Sequence, residues 1–296
     1  MSGLERTSGE TLKLIVMSDL HLVPDGEVCN GLDTGERLAQ AIASVNSDHA
    51  DADLVVLAGD LADRGEAAAY ARLKTQLDDL TVPWCLTLGN HDDRPTFLSA
   101  FGKTGSVGAP SGEIGANPQT DCIDSALDLK GTRLIVLDSS EPGQVGGVLT
   151  PAQLSWLAAR LDEAAGRPVI VVLHHHAQAL RLPVDEIWLA NAEAFVEVLQ
   201  GHQVRQVIAG HVHLPTTGLW RGIPFTTIAG GHYSVTPHLA SVPGRQGRTE
   251  GPGQYAVVLS DAEGTLVHFH DFLDRHLRLA DGLFGWRKRA AEAAAE

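Results

Sequence analysis

Six short apolar runs, each ended by polar residues or glycine, constrain the fold of this chain more than any other feature. They are Leu12 to Met17, Leu54 to Ala58, Val82 to Leu88, Leu134 to Leu137, Val169 to Leu173 and Val204 to Ala209. The runs are rich in valine, isoleucine and leucine, and they are mostly continuous rather than alternating with polar residues. This pattern is typical of strands that are covered on both faces.

Helical patterns lie between several of these runs. They span Gly35 to Val45, Glu66 to Leu80 and Leu189 to Leu199, and a fourth opens with Thr150 as N-cap and Pro151 at the first helical position. Strands that alternate with helices predict an α/β layered fold.

The remaining segments have a different character. Residues 102–120 and 241–253 are dense in glycine, proline and serine, which predicts long ordered loops, the first of them a candidate lid over the site. Two strand-like runs, Tyr255 to Leu259 and Leu266 to Phe269, follow. We predict one catalytic domain over residues 1–270. We predict a helical tail over residues 271–296 whose apolar stripe docks on its own domain or on another subunit.

The charge and composition exclude several classes of protein. A net charge of −15 with neutral histidines disfavours long nucleic acid as a partner, since the basic clusters are short. No apolar run approaches the ~18–20 residues that span a bilayer, and the polar start lacks the apolar core of a signal peptide. Three widely spaced cysteines (Cys29, Cys85 and Cys122) fit a reducing compartment. These features predict a cytoplasmic protein without a membrane partner.

Polar side chains of metal-binding types follow five of the apolar runs. They are Asp19 and His21, then Asp60 and Asp63, then Asn90 and His91, then His174, His175 and His176, and finally His211 and His213. Ligands bind outside the carboxyl ends of strands in open α/β sheets. Oxygen and imidazole ligands suit Mn, Fe or Zn. Any one cluster alone is more often a turn or a helix cap. Together they exceed the needs of one tetrahedral ion and suit two ions that share a carboxylate.

In this order the clusters resemble the motifs of the calcineurin-like metallophosphoesterase family. The family pattern of D-x-H, G-D-x-x-D, G-N-H-[DE], H and G-H-x-H stands here as residues 19–21, 59–63, 89–92, 174 and 210–213. The resemblance covers about Leu12 to Tyr233. It implies a four-layer α-β-β-α sandwich, in which two packed mixed β-sheets are flanked by helices.

The resemblance also implies a ligand set and a mechanism. One metal ion takes Asp19, His21, Asp60 and His213, and the other takes Asp60, Asn90, His174 and His211, so that Asp60 bridges. His175 is the rival of His174 as the ligand from the three-histidine run. A hydroxide held by the two ions, with Mn or Fe favoured over Zn, attacks phosphorus. His91 contacts the phosphoryl group or protonates the leaving alkoxide.

The resemblance also implies roles for three further residues. Asp63 and Asp92 are expected to orient a histidine or the loop around the ligands. His232, in Ala-Gly-Gly-His-Tyr, falls where some relatives place a residue that contacts the substrate. Packing against Tyr233 is the other interpretation of that histidine.

The finer resemblance is to the bacterial branch of cyclic-nucleotide phosphodiesterases and glycerophosphodiesterases. It implies a small phosphodiester as substrate, namely 3′,5′-cyclic AMP or a 2′,3′-cyclic nucleotide, and it favours a homodimer. The sequence His174-His175-His176-Ala177-Gln178 departs from the His-His-Pro-Pro of that branch. The alternatives are therefore a glycerophosphodiesterase, a broad phosphomonoesterase with the same metal site, a DNA nuclease, which the charge disfavours, and a catalytically silent interaction module.

Overall fold

The computed structural model describes residues 11–103, 106–107, 115–237 and 247–273. In chain order the strands are β1 (Leu12–Met17), β2 (Leu54–Ala58), β3 (Trp84–Thr87), β4 (Ser106–Val107), β5 (Gly115–Ala116), β6 (Ser125–Leu129), β7 (Thr132–Leu137), β8 (Val169–Leu173), β9 (Val204–Ala209), β10 (Thr216–Trp220), β11 (Ile223–Thr227), β12 (Ser234–Val235), β13 (Arg248–Thr249), β14 (Gln254–Ser260) and β15 (Thr265–Asp271). The helices are α1 (Thr34–Asp48), α2 (Ala67–Leu77), α3 (Arg94–Phe101), α4 (Pro151–Glu163) and α5 (Ala192–Leu199), with a short 3-10 helix at Pro183–Ile187.

The strands form two large mixed sheets and one small ribbon. The first sheet has the order β15-β14-β1-β2-β3-β4, and the second has the order β10-β11-β9-β8-β7-β6-β5. The neighbours β1, β2 and β3 are parallel, as are β7, β8 and β9. The carboxyl ends of these parallel strands therefore lie together at one edge of each sheet. β12 and β13 pair separately as the ribbon.

Three apolar layers show that the two sheets pack face to face between helices. Along β1, Leu14 and Val16 lie in the core between the sheets, whereas Ile15 lies in the core under α1 and α2. Strand residues point alternately to opposite faces, so a continuous apolar run fills both layers. The second sheet packs its other face on α4 and α5, with Trp156 and Phe195 in that core. The predicted four-layer α-β-β-α sandwich is confirmed.

The predicted start of α4 is also confirmed. The Thr150 side chain accepts a hydrogen bond from the Gln153 amide, and the Gln153 side chain accepts one from the Thr150 amide. This reciprocal capping box satisfies two backbone donors that the first helical turn leaves free. Pro151 occupies the first turn, where its missing N–H costs nothing.

The structure corrects the sequence reading at three segments. The predicted loop at 102–120 contains the short strands β4 and β5, while residues 104–105 and 108–114 lie outside the described residues. Asp271, where the predicted tail began, is the last residue of β15, and the tail beyond residue 273 lies outside the described part of the chain. α3 was not predicted, because its sequence follows the polar Gly89–Asp93 turn directly.

Two further sequence expectations concern cysteines and membranes. All three cysteines are buried and unpaired, as an odd, widely spaced set predicts. Within the described ranges, no helix is both long enough and apolar enough to cross a bilayer.

Candidate metal centre

The predicted ligands meet where five parallel strands end. Asp19 and His21 follow β1, Asp60 follows β2, Asn90 follows β3, His174 follows β8, and His211 and His213 follow β9. The first sheet thus contributes four of these side chains and the second contributes three. All except Asn90 are buried. The sequence folds this way locally because each apolar strand ends in a tight turn that directs its polar residue into the junction of the sheets.

The backbone at these turns adopts an unusual conformation. Five of the seven predicted ligands have positive φ angles in the left-handed region: Asp19 (54°), His21 (46°), Asp60 (50°), His211 (72°) and His213 (51°). Side chains other than glycine rarely adopt this region, and each such residue costs of order 1–3 kcal/mol unless the surroundings enforce it. Strain of this kind concentrates at functional sites, where it aims side chains in directions that regular strands cannot.

The glycines that precede the ligands are required by close backbone approach. A Cβ atom added to Gly89 would lie 2.2 Å from Asp60 Oδ1 and 2.8 Å from His174 Cδ2. A Cβ atom on Gly210 would lie 2.6 Å from Asp19 Oδ2. The turns can therefore come together around the carboxylates only because these two positions carry no side chain.

Hydrogen bonds at Nδ1 fix the tautomers of two facing histidines. His21 Nδ1 bonds to Asp63 Oδ1 at 3.1 Å, and His213 Nδ1 bonds to the Tyr233 carbonyl at 3.0 Å. Since each Nδ1 is the donor, each Nε2 carries a lone pair. The two Nε2 atoms lie only 3.3 Å apart, and Asp19 Oδ1 lies 3.4 Å from that of His213. Acceptors that converge in this way need a cation between them.

His174 is oriented in the same way as His21 and His213, with Nδ1 as donor and Nε2 facing a carboxylate, here that of Asp60. His174 Nδ1 donates to the Ala58 carbonyl at 2.9 Å, which turns Nε2 toward Asp60 Oδ2, 3.3 Å away. This Nε2 and Asn90 Oδ1 are buried and make no hydrogen bond. Asp60 Oδ2 also lies 3.5 Å from His21 Nε2, so one carboxylate faces both histidines.

His211 and His175, which also follow strands of the second sheet, differ in what their ring nitrogens bond to. His211 Nε2 donates to the Ile187 carbonyl at 2.9 Å, which leaves Nδ1 as an acceptor. His175 lies close enough to His174 and His211 to share an ion with them. Both of its ring nitrogens are occupied, however, by the Ser139 hydroxyl at 2.8 Å and the Val145 carbonyl at 3.1 Å. The hydrogen bonds therefore favour His174 over His175 as the ligand.

The ionisation of the cluster fits a bound cation. Burial raises the pKa of Asp60, but the positive charge of His174 outweighs it and holds that pKa well below the usual range. Burial lowers the pKa of His174, yet the charge of Asp60 brings it up to about 9. Burial holds the pKa of His211 and of His213 well below 6.5. Burial raises the pKa of Asp19, and the hydrogen bond to Asp63 and the charge of Asp60 outweigh burial and raise the pKa of His21. Metal ions at this cluster would displace the protons of His21 and His174 and favour the carboxylate form of Asp19 and Asp60.

Close groups of these residues occur on both sides of Asp60. Asp19, His21 and His213 form one group with ligand atoms within 4.8 Å of one another, and Asp19, Asp60 and His174 form another. Further groups join His174, His175 and His211 on one side, and His21, Asp60 and His91 on the other. The donor set of carboxylate, amide and imidazole fits two ions of the Mn, Fe or Zn type.

His91 is the exposed member of the cluster. Its side chain is 40% exposed and its ring centroid lies 4.6 Å from that of His21. The His91 amide donates to Asp60 Oδ1 at 2.9 Å, and Nδ1 donates to the Asp63 carbonyl at 2.7 Å. The backbone and the tautomer are thereby fixed, and Nε2 is left for a group that enters from solvent.

Asp63 and Asp92 contact the residues and loops around the predicted ligands. The hydrogen bond from His21 lowers the pKa of Asp63 to about 2, so this carboxylate orients His21 as an anion. Asp92 instead links the loops that follow β2 and β3 through hydrogen bonds to their backbone amides. It accepts hydrogen bonds from the amides of Leu61, Ala62 and Gly89 and from the Tyr70 hydroxyl, at 2.9–3.1 Å.

Replacing Asp92 by alanine is expected to lower the free energy of unfolding by about 3 kcal/mol or more, because it leaves three backbone donors without an acceptor. Chemical denaturation measures this loss. Asp93→Ala is the matched control. It removes the hydrogen bonds that the Asp93 carboxylate accepts from the Thr96 amide, at 2.9 Å, and from the Thr96 hydroxyl, and it should cost about 1 kcal/mol. Equal losses in the two variants would contradict the role given to Asp92.

His232 lies next to the cluster but is closed off from solvent. Its ring centroid is 4.9 Å from that of His21, its exposure is 1%, and its Nε2 bonds to the Cys29 carbonyl at 3.1 Å. Burial lowers its pKa to about 3, so it is neutral. A direct contact with substrate, as the resemblance suggested, would require this side chain to become exposed. Packing is the interpretation that its burial favours.

Sequence reasoning missed two residues that support the site. The Tyr233 ring stacks on His213 with centroids 3.9 Å apart and planes at 3°, in addition to the bond from its carbonyl. Ser139 holds His175 at both its amide and its ring. Neither residue belongs to a recognisable motif. The position of Ser139 two residues past β7, at the same sheet edge as the ligands, was the available indication.

Comparisons with known proteins agree with this geometry. The family model described as calcineurin-like phosphoesterase matches residues 12–215. A "Probable cyclic nucleotide phosphodiesterase" of Rhodococcus erythropolis is 32% identical over 278 residues, which cover 90% of this chain and 86% of that protein. The "Glycerophosphodiester phosphodiesterase GpdQ" of Enterobacter lignolyticus is 28% identical over 215 residues, covering 72% and 74%.

A solved structure shows the same fold at low sequence identity. The dimetal phosphatase from Danio rerio aligns with a TM-score of 0.63 at 17% identity, over 88% of this chain and 99% of that one. The family model spans more than half of the chain and includes every predicted ligand. The chain therefore belongs to the calcineurin-like phosphoesterase family.

Proposed function

We propose that this chain is a dinuclear-metal phosphodiesterase that hydrolyses small cyclic nucleotides, 3′,5′-cyclic AMP or 2′,3′-cyclic nucleotides. The family and its phosphodiesterase relatives make the chain a hydrolase of phosphodiesters. The observation that carries the dinuclear assignment is the position of Asp60. Its carboxylate faces His21 on one side and His174 on the other, at 3.5 and 3.3 Å.

The ligand assignment follows the two sides of Asp60. Asp19, His21, Asp60 and His213 would hold one ion, and Asp60, Asn90, His174 and His211 would hold the other. Two such ions, when bound, supply Lewis acidity and lower the pKa of water toward neutrality. Mn and Fe are favoured as the ions. The chain's own contribution is to fix seven ligand directions in a buried, strained framework before substrate arrives.

His91 is the residue proposed to act on the substrate. Its Nδ1–H is held by the Asp63 carbonyl, so Nε2 is the atom that can contact a phosphoryl oxygen or exchange a proton with the leaving oxygen. Histidine is the side chain that most often serves as a general acid or base in enzymes, which suits this transfer. Asp63 links the two histidines, since its side chain holds His21 and its carbonyl holds His91.

A substrate panel tests the proposal. Mn-loaded protein would be assayed for kcat/KM on 3′,5′-cyclic AMP, 2′,3′-cyclic AMP, a glycerophosphodiester, bis(p-nitrophenyl) phosphate and p-nitrophenyl phosphate. We expect one of the cyclic nucleotides to be the best substrate. Preference for p-nitrophenyl phosphate over the diesters would overturn the diesterase assignment.

A glycerophosphodiesterase is the second candidate. The similarity to the glycerophosphodiesterase from Enterobacter lignolyticus favours it, although that relative is less similar than the cyclic nucleotide one. The same panel separates the two candidates, because a glycerophosphodiester contains a flexible polyol and a cyclic nucleotide contains a strained ring.

Asn90→Ala is expected to lose mainly one of the two ions, because the proposed ligand set assigns Asn90 to one ion only. Metal analysis after dialysis should then give about one ion per chain instead of two. Substituting Asn46, a partly exposed amide that bonds to the Asp79 carbonyl, by alanine serves as the control and should leave both ions bound. Retention of two ions in Asn90→Ala would remove Asn90 from the ligand set.

A further inference from the structure

A cavity of about 210 Å³ opens beside Asn90. It lies between the loop that enters α3 and the turn after β7. The residues that matter for its chemistry are Asn90, Asp93, Arg94, Ser140 and Glu141. Asn90 contributes a buried Oδ1 that makes no hydrogen bond. The cavity therefore adjoins the proposed metal centre through Asn90.

Buried polar contacts fix the shape of this cavity. Arg94 Nε donates to Asp138 Oδ2 at 2.9 Å, and its Nη2 donates to the Ser140 carbonyl and hydroxyl, both at 2.9 Å. Asp138 is fully buried, and its Oδ1 accepts from the Ser140 amide at 3.0 Å. The two walls are thereby tied to each other, so a ligand would enter a preformed space at little cost in conformational entropy.

The charge of the cavity selects against anions. The positive charge of Arg94 is already matched by Asp138, whereas Glu141 is exposed at the rim and Asp93 adds a second carboxylate. Carboxylates accept hydrogen bonds from hydroxyl groups and repel further phosphates. The cavity thus suits an uncharged group that carries hydroxyls, placed next to a phosphate held at the metal centre.

We propose that this cavity binds the neutral, hydroxyl-bearing organic part of the diester, and that Glu141 excludes substrates that carry a second phosphate. The inference rests on the proposed phosphodiesterase function and specifies its substrate class: diesters of a nucleoside or polyol without further anionic groups.

Three esters that all release p-nitrophenol test the cavity. They are thymidine 5′-(p-nitrophenyl phosphate), the same compound with a 3′-phosphate, and ethyl p-nitrophenyl phosphate, which has no hydroxyls. Glu141→Lys should lower kcat/KM for the first by about 3- to 10-fold and raise it for the 3′-phosphorylated ester by a similar factor, as expected of a charge at the rim of a site. The ethyl ester should change by less than about twofold.

Glu263→Lys is the matched control, since it makes the same change in net charge. Glu263 is an exposed glutamate in the turn between β14 and β15. It should leave all three rates unchanged. Equal effects of Glu141→Lys on the three esters, or no effect at all, would overturn the inference while leaving the diesterase chemistry intact. Failure of the wild type to hydrolyse any of the three esters would instead overturn the proposed function, and the inference with it.

Discussion

Replacing Asp60 by asparagine is expected to remove both ions and to reduce phosphodiester hydrolysis to the background rate. Asp60 is 2% exposed, and its Oδ2 lies 3.5 Å from His21 Nε2 and 3.3 Å from His174 Nε2. Asparagine preserves its size and still accepts the hydrogen bond from the His91 amide. It lacks the negative charge that a bridging ligand shares between two cations, so each site loses its common anchor.

Metal analysis and thermal denaturation together check this result. The metal-free wild type and the metal-free variant should unfold at similar temperatures. Added Mn should raise the melting temperature of the wild type only, because a ligand stabilises the folded state that binds it. A variant that still binds two ions, or one that is stabilised by Mn as the wild type is, would contradict the bridging role.

Replacing His91 by alanine is expected to lower kcat by about 10²- to 10⁴-fold, the contribution of one acid–base group. Unlike the Asp60 variant, it should retain both ions. His91 is exposed and its Nδ1 is held by the Asp63 carbonyl, which leaves Nε2 for the substrate. The metal content of the variant should remain at two ions per chain.

The leaving group distinguishes what His91 does. If it protonates the leaving oxygen, the loss should be large for an alkoxide and small for p-nitrophenolate, which departs without a proton. A similar loss with both would indicate contact with the phosphoryl group. His202→Ala, which removes a partly exposed histidine of the loop after α5, should change neither rate. Loss of metal from His91→Ala would show that His91 is a ligand, a possibility that its distance from His21 and Asp60 allows.

The layered fold could be predicted from the sequence because its central strands are buried on both faces. The bounds of β1, β2, β8 and β9 agree with the apolar runs, although Lys13 lies in β1 and Arg205 and Gln206 lie in β9. β6 was missed because the exposed Asp128 breaks its apolar pattern. α3 was missed although Asp93 caps it and Pro95 lies in its first turn, because both residues also suit a turn.

The candidate site could be predicted only in part, for a physical reason. Strand ends and residue types indicate which side chains come together, but they do not indicate their directions. The left-handed backbone at Asp19 and Asp60 was not predicted from the residue types. The hydrogen bonds that separate His174 from His175 join residues far apart in sequence: His174 bonds to Ala58 of the first sheet, and His175 bonds to Ser139 after the neighbouring strand β7. The stacking of Tyr233 on His213 likewise joins residues that no local pattern connects.

The division of the ligands between the sheets has a consequence for the lifetime of the folded chain. Asp60 belongs to one sheet, whereas His174, His211 and His213 belong to the other. An ion held between them would link the two sheets at the edge where five of the predicted ligands have left-handed backbone. Metal depletion would then do more than abolish activity. It would remove the link between the two sheets at that edge. The metal supply of the cell would therefore govern the lifetime of the folded protein as well as its rate of hydrolysis.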